Sequence, residues 1–246
     1  MKAVMLAAGV GARLYGDPSA QPPKCLLRFD GRSLLARHVE ILRARGIEEL
    51  VLVVGYRADD LRAELRGIGA ASFVRILENP EYRRGSLVSL WTARETLGAG
   101  EPLLCMDADL LYHPGLVDRL LAEPGDAVLL DRIFESGEEP VRLCLRDGAV
   151  VDFRKAADVE HDDVGEWPGF LRLAPGTARA LAAVCERRIR EGRQDEPCEE
   201  AIREVLLAEP RRFRIVDVTD VPWIEIDFPE DVERAEKEIL PRLRTR

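Results

Sequence analysis

Three stretches of this sequence gather residue types that can handle phosphate and a divalent cation. Residues 6–13 read LAAGVGAR, and Lys24 follows in a PPK triplet. Glycines at positions 9 and 11 let backbone N–H groups approach phosphate oxygens closely. Arg13 and Lys24 bring two positive charges to the same loop, and a triphosphate carries more negative charge than amide dipoles alone can match. Residues 107–109 read DAD. Two carboxylates at i and i+2 of an extended chain point the same way, and oxygen donors without His or Cys suit Mg²⁺. Residues 223–227 read WIEID, an apolar run that ends on Asp227 just before Pro229; Glu225 is its weaker donor. Each stretch also has a purely structural reading: a β–α turn, an acidic turn capping a helix near residue 115, and the N-cap of a last helix. Other nucleotide loops share the glycines. A dinucleotide fingerprint wants a third glycine where Leu14 stands, and a Walker loop wants the absent GK[ST].

The surrounding elements place these groups at strand ends. Residues 2–8 read as a buried strand ended by glycine, and 33–46 as a helix with Ser33 at its N-cap and Gly46 as its stop. Strands at 49–55, 73–77 and 102–106 alternate with helices at 58–66 and 86–97, the rhythm of an α/β fold with a mostly parallel sheet. Beyond residue 125 short strands follow at 127–131, 141–147, 149–154 and 170–175, with Asp147-Gly148 as a hairpin signal. Helices are expected at 176–191 and 197–208, then strands at 213–218 and 222–227 and a helix at 229–240. The α/β expectation is a three-layer sandwich around a mostly parallel central sheet, plus a smaller β-rich substrate-binding portion. We read 1–246 as one continuous domain with a nucleotide-binding half (1–130) and an acceptor-binding half (131–246) that also supplies the second metal ligand.

The ordered set LAAGVGARL…PPK is more specific than its glycines. MKAVMLAAGVGARL followed by PPKCLLRFDGRSLLARHVEIL resembles the opening of the MobA-like and sugar-phosphate nucleotidyltransferase superfamily, which implies a Rossmann-like nucleotidyltransferase fold. In that family the glycine loop holds the triphosphate while an Arg and a Lys neutralise it. The resemblance therefore assigns Leu6, Ala7, Ala8, Gly9 and Gly11 to the nucleotide and Arg13 and Lys24 to catalysis. It favours Asp109 as a metal ligand and sets Asp107 beside it with the nucleotide. It matches Asp227, in its D-x-P-x-D setting, to the second metal-binding aspartate. The stretch ENPEYRRGSLVSLW at 78–91 is similar to the phosphocholine cytidylyltransferase branch, where it helps hold cytosine and ribose. That similarity carries over Asn79, Gly85 and Ser86, with Ser89 weaker, and a helix start at 85–86 could offer free N–H groups.

The acceptor side is read from chemistry and a looser likeness. VGEWPGF at 164–170 resembles a G-E-x-x-G turn, which makes Glu166 a partner for a cationic head group or a hydroxyl. Trp167 and Trp223 could form part of an aromatic cage for a quaternary ammonium. Lys155 is one of only four lysines and could bind the acceptor phosphate, and Glu199 could face the pocket. The implied activity is Mg²⁺-dependent transfer of CMP from CTP to a phosphoalcohol such as phosphocholine. Inositol-1-phosphate, a phosphonate or a sugar-1-phosphate stand as other acceptors, and a non-catalytic nucleotide-binding regulatory module as the alternative of another class.

Composition bounds the rest. The chain has 246 residues, 46% hydrophobic and 33% charged, with a net charge of −9. That charge argues against nucleic acid and anionic membranes as partners. No apolar run approaches a membrane span, and the apolar start is interrupted by Gly9, Gly11 and Arg13 where a signal peptide would continue. Five cysteines without a CxxC read as reduced thiols of a cytoplasmic protein. A homodimer is compatible with the sequence.

Overall fold

The computed structural model describes residues 1–16, 21–134, 140–155 and 157–243. Strand β1 (Lys2–Ala7) leads through the glycine loop into a short helix, α1 (Ala12–Tyr15). A 3-10 turn at Lys24–Leu26 and a small hairpin, β2 (Arg28–Phe29) with β3 (Arg32–Ser33), deliver the chain to α2 (Leu34–Ala44). Ser33 starts α2, its hydroxyl accepting the Ala36 N–H at 3.0 Å. Leu34, Leu35, His38, Val39, Ile41 and Leu42 form the buried face of that helix. Then come β4 (Glu49–Val54), α3 (Ala58–Gly67) and β5 (Val74–Glu78).

The single helix expected over 86–97 is two, α4 (Ser86–Thr92) and α5 (Arg94–Gly98). The Thr92 hydroxyl donates back to the Val88 carbonyl at 2.8 Å, a bond that competes with the helix ladder at the break. Next are β6 (Leu103–Asp107), β7 (Leu110–Tyr112), α6 (Gly115–Ala122) and β8 (Ala127–Leu130). The hairpin of β9 (Arg142–Arg146) and β10 (Ala149–Arg154) turns on Asp147 and Gly148, whose φ values of 52° and 70° are the left-handed pair a tight primed turn requires. β11 (Asp163–Glu166) and β12 (Phe170–Leu173) precede α7 (Pro175–Arg190) and α8 (Glu199–Ala208). The chain closes with β13 (Arg214–Asp217), β14 (Trp223–Glu225), α9 (Pro229–Arg234), a π-helical turn at Ala235–Ile239 and α10 (Leu240–Leu243). Neither β7 nor β11 is expected from the sequence; at three and four residues both are too short for a periodic pattern to show.

The main sheet has seven strands in the order β13-β8-β12-β6-β1-β4-β5. Only β12 runs against its neighbours. From β1 the chain steps outward to β4 and β5, then returns to place β6 on the other side. The strand order therefore reverses between β1 and β6, and ligands of open α/β sheets bind at the carboxyl ends beside such a reversal. Alternation along the strands sends Met5, Leu52, Leu104 and Met106 to one face, against α2, α3 and α6. Val4, Val51, Val53 and Cys105 point to the other, against α4, α5, α7, α8 and the hairpin residues Leu143 and Phe153. A third cluster, with Leu14, Phe29, Leu111, Ile224 and Ile226, joins α1 and the β7–β14 pair to the C-terminal helices. All five cysteines are buried and unbridged. Among the described residues no helix is long and apolar enough to cross a membrane.

Candidate active site

A cavity of about 350 Å³ opens where β1 and β6 end. One wall is the glycine loop, with Leu6, Ala7, Ala8, Gly9 and Gly11 all lining it. Gly11 has φ +68°, and a Cβ there would press on Lys24 and Tyr15 at 3.3 Å, so the loop can lie against the lysine stem only as glycine. The opposite wall is acidic, formed by Asp107 and Asp109 at the end of β6 and by Glu225 and Asp227 at the end of β14. The pairing of β14 with β7, Glu225 opposite Leu110, brings these two ends together across more than 100 residues of chain. The Ile226 N–H donates to the Asp109 carbonyl at 3.0 Å and locks the register.

The cations meet the acids at one point. Lys24 Nζ lies 3.1 Å from Asp109 Oδ2 and 2.5 Å from Asp227 Oδ1, and the Arg13 guanidinium lies 2.9 Å from the same Asp227 oxygen. Burial works against the Lys24 ammonium, but the Asp109 and Asp227 carboxylates outweigh it and hold its pKa above the ordinary lysine value. Burial raises the Asp107 carboxyl well above its usual range, and the charges of Asp109, Glu199 and Asp227 add to the shift. Burial does the same to Glu225, reinforced by Asp109, Asp227 and Asp107. These shifts mark an excess of close-set carboxylates that one lysine does not neutralise.

Carboxylate oxygens of Asp109, Glu225 and Asp227 lie within 4.8 Å of one another. Three hard oxygen donors from two strand ends, with a protein ammonium drawn between two of them, fit a small divalent cation such as Mg²⁺. Asp227 is not the N-cap of the last helix. Phe228 holds that position, and the Asp231 carboxylate accepts the N–H groups of Asp227 and Phe228 at 2.9 and 2.8 Å, aiming the Asp227 side chain away from the helix.

The expected base-binding residues divide. Ser86 and Ser89 line the cavity. Asn79 is 1% exposed and does not reach it; its amide donates to the Ser89 hydroxyl at 3.0 Å and accepts the Glu81 N–H at 2.9 Å, so it braces the wall from behind. The N–H groups at the start of α4 are not all free, as the sequence suggested. Gly85 donates to the Gln194 carbonyl and Leu87 to that of Glu196. The Ser86 hydroxyl accepts the Cys198 N–H at 2.7 Å. A Cβ on Gly85 would sit 2.0 Å from the Glu196 carbonyl oxygen, so the glycine is there for close backbone approach.

The four acceptor residues do not gather at the cavity. Trp167 lies on the α7–α8 face of the sheet, where its ring packs edge-on to Phe153 at 5.2 Å and its indole N–H donates to the Phe170 carbonyl at 2.8 Å. Trp223 packs on the opposite face, with its N–H on Asp131 at 2.7 Å. The two indoles are thus separated by the sheet and do not form one cage. Glu166 ends β11 and exchanges backbone hydrogen bonds with Asp131, and Lys155 follows β10; neither lines the cavity. Tyr82, Arg84, Cys198 and Glu199 do line it. Tyr82 and Arg84 stand inside the ENPEYRRGS stretch that signalled the base site. Glu199, read from the sequence as an acid that could face the pocket, lines it; Cys198 carried no motif signal. Arg84 is held by Asp195 through two bonds of 3.0 and 2.9 Å, which clasp the two loops together.

Comparison with known proteins agrees with this fold. The chain is 29% identical to the CMP-5'-(3-aminopropyl)phosphonate synthase of Streptomyces rubellomurinus over 98% of its own length and 39% of that protein. It is 32% identical to the bifunctional IPC transferase and DIPP synthase of Rubrobacter xylanophilus over 97% of its length and 52% of that protein. The chain thus spans about half, or less, of these two relatives. Its backbone resembles the solved inositol-1-phosphate CTP transferase of T. maritima with a TM-score of 0.77 at 20% identity, covering 98% of this chain and 95% of that one. The family model for the MobA-like NTP transferase domain matches residues 3–166, two-thirds of the sequence and every strand end of the glycine and DAD motifs, and the chain belongs to that family.

Proposed function

We propose that this chain is a cytidylyltransferase that moves CMP from CTP to a small phosphorylated or phosphonate acceptor and releases pyrophosphate. Phosphocholine-like aminoalkyl acceptors are the favoured class. One observation carries the reading: Lys24 sits in direct contact with both Asp109 and Asp227 at the foot of the cavity, beside the glycine loop. An oxygen of the acceptor phosphate attacks the α-phosphorus of the nucleotide. The bond from that phosphorus to the oxygen bridging to the β-phosphate breaks, and its electron pair leaves on pyrophosphate. Both reactants are anions, so the site must reduce their repulsion. Arg13 and Lys24 offset charge on the triphosphate and on the departing pyrophosphate. Asp109 and Asp227, with Glu225 beside them, are the residues that would hold Mg²⁺, which when bound offsets phosphate charge and orients the two reactants. No side-chain nucleophile is needed, and no cavity-lining residue is a histidine.

The base is proposed from relatives whose names specify CMP or CTP. The acceptor class rests on charge. The cavity wall also holds the acids Glu199 and Asp107, while Arg84 is engaged with Asp195. A cationic amine suits that wall better than a neutral polyol. Pyrophosphate release with CTP, Mg²⁺ and a panel of phosphocholine, 2-aminoethylphosphonate, inositol-1-phosphate and glucose-1-phosphate tests both levels. Preference for the aminoalkyl compounds supports the acceptor reading. Preference for the polyol phosphates keeps the transferase and removes the acceptor class. CTP binding without release for any acceptor would favour a regulatory module.

A further inference from the structure

His38 is absent from the chemistry above, yet it sits directly behind the aspartate turn. It lies on the inward face of α2 and is fully buried. Its Nε2 is 3.1 Å from the Ala108 carbonyl oxygen, and its Nδ1 is 3.1 Å from the Tyr112 hydroxyl. Ala108 is the residue between Asp107 and Asp109, and Tyr112 ends β7, the strand that follows them. A carbonyl oxygen only accepts, so Nε2 carries the proton and donates, and Nδ1 must accept from the Tyr112 hydroxyl. One neutral imidazole therefore joins the turn and the strand after it in a single tautomer. Ring packing supports the arrangement: the His38 and Tyr112 rings lie 5.3 Å apart at a tilt of 36°, and Tyr112 meets Phe170 edge-on at 5.0 Å.

The other side of the turn is held by Ile226, whose N–H reaches the Asp109 carbonyl. The start of α2 is tied to the lysine turn, because the Leu34 N–H donates to Leu27, which in turn caps Lys24. His38 thus lies on the helix that continues from the Lys24 segment and grips the turn that carries Asp109. We infer that His38 is a positioning residue that fixes the Asp107–Asp109 turn relative to Lys24 and so sets the affinity of the acidic site for a divalent cation. The inference rests on the metal reading given under the proposed function. A partner that fixes a ligand's orientation is commonly worth tenfold or more in metal affinity.

The test is a titration of Mn²⁺ by electron paramagnetic resonance on the whole chain, read without turnover, beside pyrophosphate release at varied Mg²⁺. His38→Leu should weaken Mn²⁺ binding about tenfold and raise the Mg²⁺ needed for half-maximal rate by a like factor. His38→Gln can still donate to the Ala108 carbonyl and should stay within about threefold of the parent. A folded His38→Leu protein with parental Mn²⁺ affinity overturns the inference. Should that variant fail to fold, Tyr112→Phe removes the partner of Nδ1 while keeping the ring; weakened Mn²⁺ binding supports the inference and unchanged binding overturns it. Mn²⁺ binding by a parent chain that releases no pyrophosphate would sink the proposed activity alone, and the metal titration would still decide the role of His38. A parent chain that binds no Mn²⁺ overturns both.

Discussion

Lys24 Nζ and Asp227 Oδ1 lie 2.5 Å apart although 203 residues separate them in the chain. The contact joins the first β–α connection to the end of the last strand and, with Arg13, balances the buried Asp227 charge. Asp227 is 8% exposed and pairs with both Lys24 and Arg13. Removing the lysine should therefore change both chemistry and stability.

Lys24→Met keeps the stem and deletes the charge. We expect kcat/KM for CTP to fall roughly 10²–10³-fold, the usual loss for one electrostatic group aimed at a departing oxyanion. The same variant leaves Asp109 without its ammonium partner and Asp227 with Arg13 in place of two cations. Added Mg²⁺ should then raise its melting temperature more than it raises that of the parent. Initial rates of pyrophosphate release and thermal melts with and without Mg²⁺ check both. A parental rate at parental KM would remove Lys24 from the reaction.

Asp109→Asn and Asp227→Asn should each cut turnover by about 10² or more while retaining the fold, and the double variant should be little worse than either single one. Groups that act as a unit are strongly non-additive. Single-turnover rates of the three proteins provide the comparison; simple multiplication of the two losses would show that the carboxylates act independently.

Trp167→Phe should leave KM for every acceptor unchanged, because the indole packs on Phe153 and donates inside the core. Its cost should be structural, about 1–2 kcal/mol for the Phe170 carbonyl left without its donor. Denaturant melts and acceptor titrations separate the two; a large rise in acceptor KM at parental stability would restore Trp167 to the acceptor site.

Burial pushes the pKa of His38 down to about 4, from an ordinary value of 6.5, against a smaller opposing pull from the Ala108 carbonyl. Above pH 6.5 the imidazole is neutral in folded and unfolded chains alike, and it contributes no pH dependence. Between pH 6.5 and about 4 the unfolded chain takes up a proton that the folded chain refuses. Stability should therefore fall as pH drops through that window, by roughly 3 kcal/mol in total from this group. The difference between the parent and His38→Gln isolates it. Parallel stability–pH curves for the two proteins would contradict the assignment.

Much of the site is legible in the sequence because its chemistry is local. The glycines that let a loop approach phosphate, the lysine after PPK and the aspartates at strand ends are each recognisable within a dozen residues, since they serve the conformation and charge of one turn. The alternation of strands and helices through residue 130 is legible for the same reason: periodic burial is written along the chain. Which residues meet was decided by strand order and pairing. The β14–β7 register carries Glu225 and Asp227 to Asp109, and no local pattern specifies a partner more than 100 residues away. The two tryptophans look alike in sequence, but the sheet places them on opposite faces, one against Phe153 and the other beside Asp131. Asn79 lies in a base-binding pattern yet braces the wall, because Ser89 stands between it and the cavity. Glu199 reaches the cavity because the 194–198 segment is clasped to Gly85 and Ser86 by backbone bonds that only the folded chain can form. Short-range sequence determines what a residue can do, and long-range packing determines which groups it does it with, because burial and register belong to the assembled sheet rather than to any one segment.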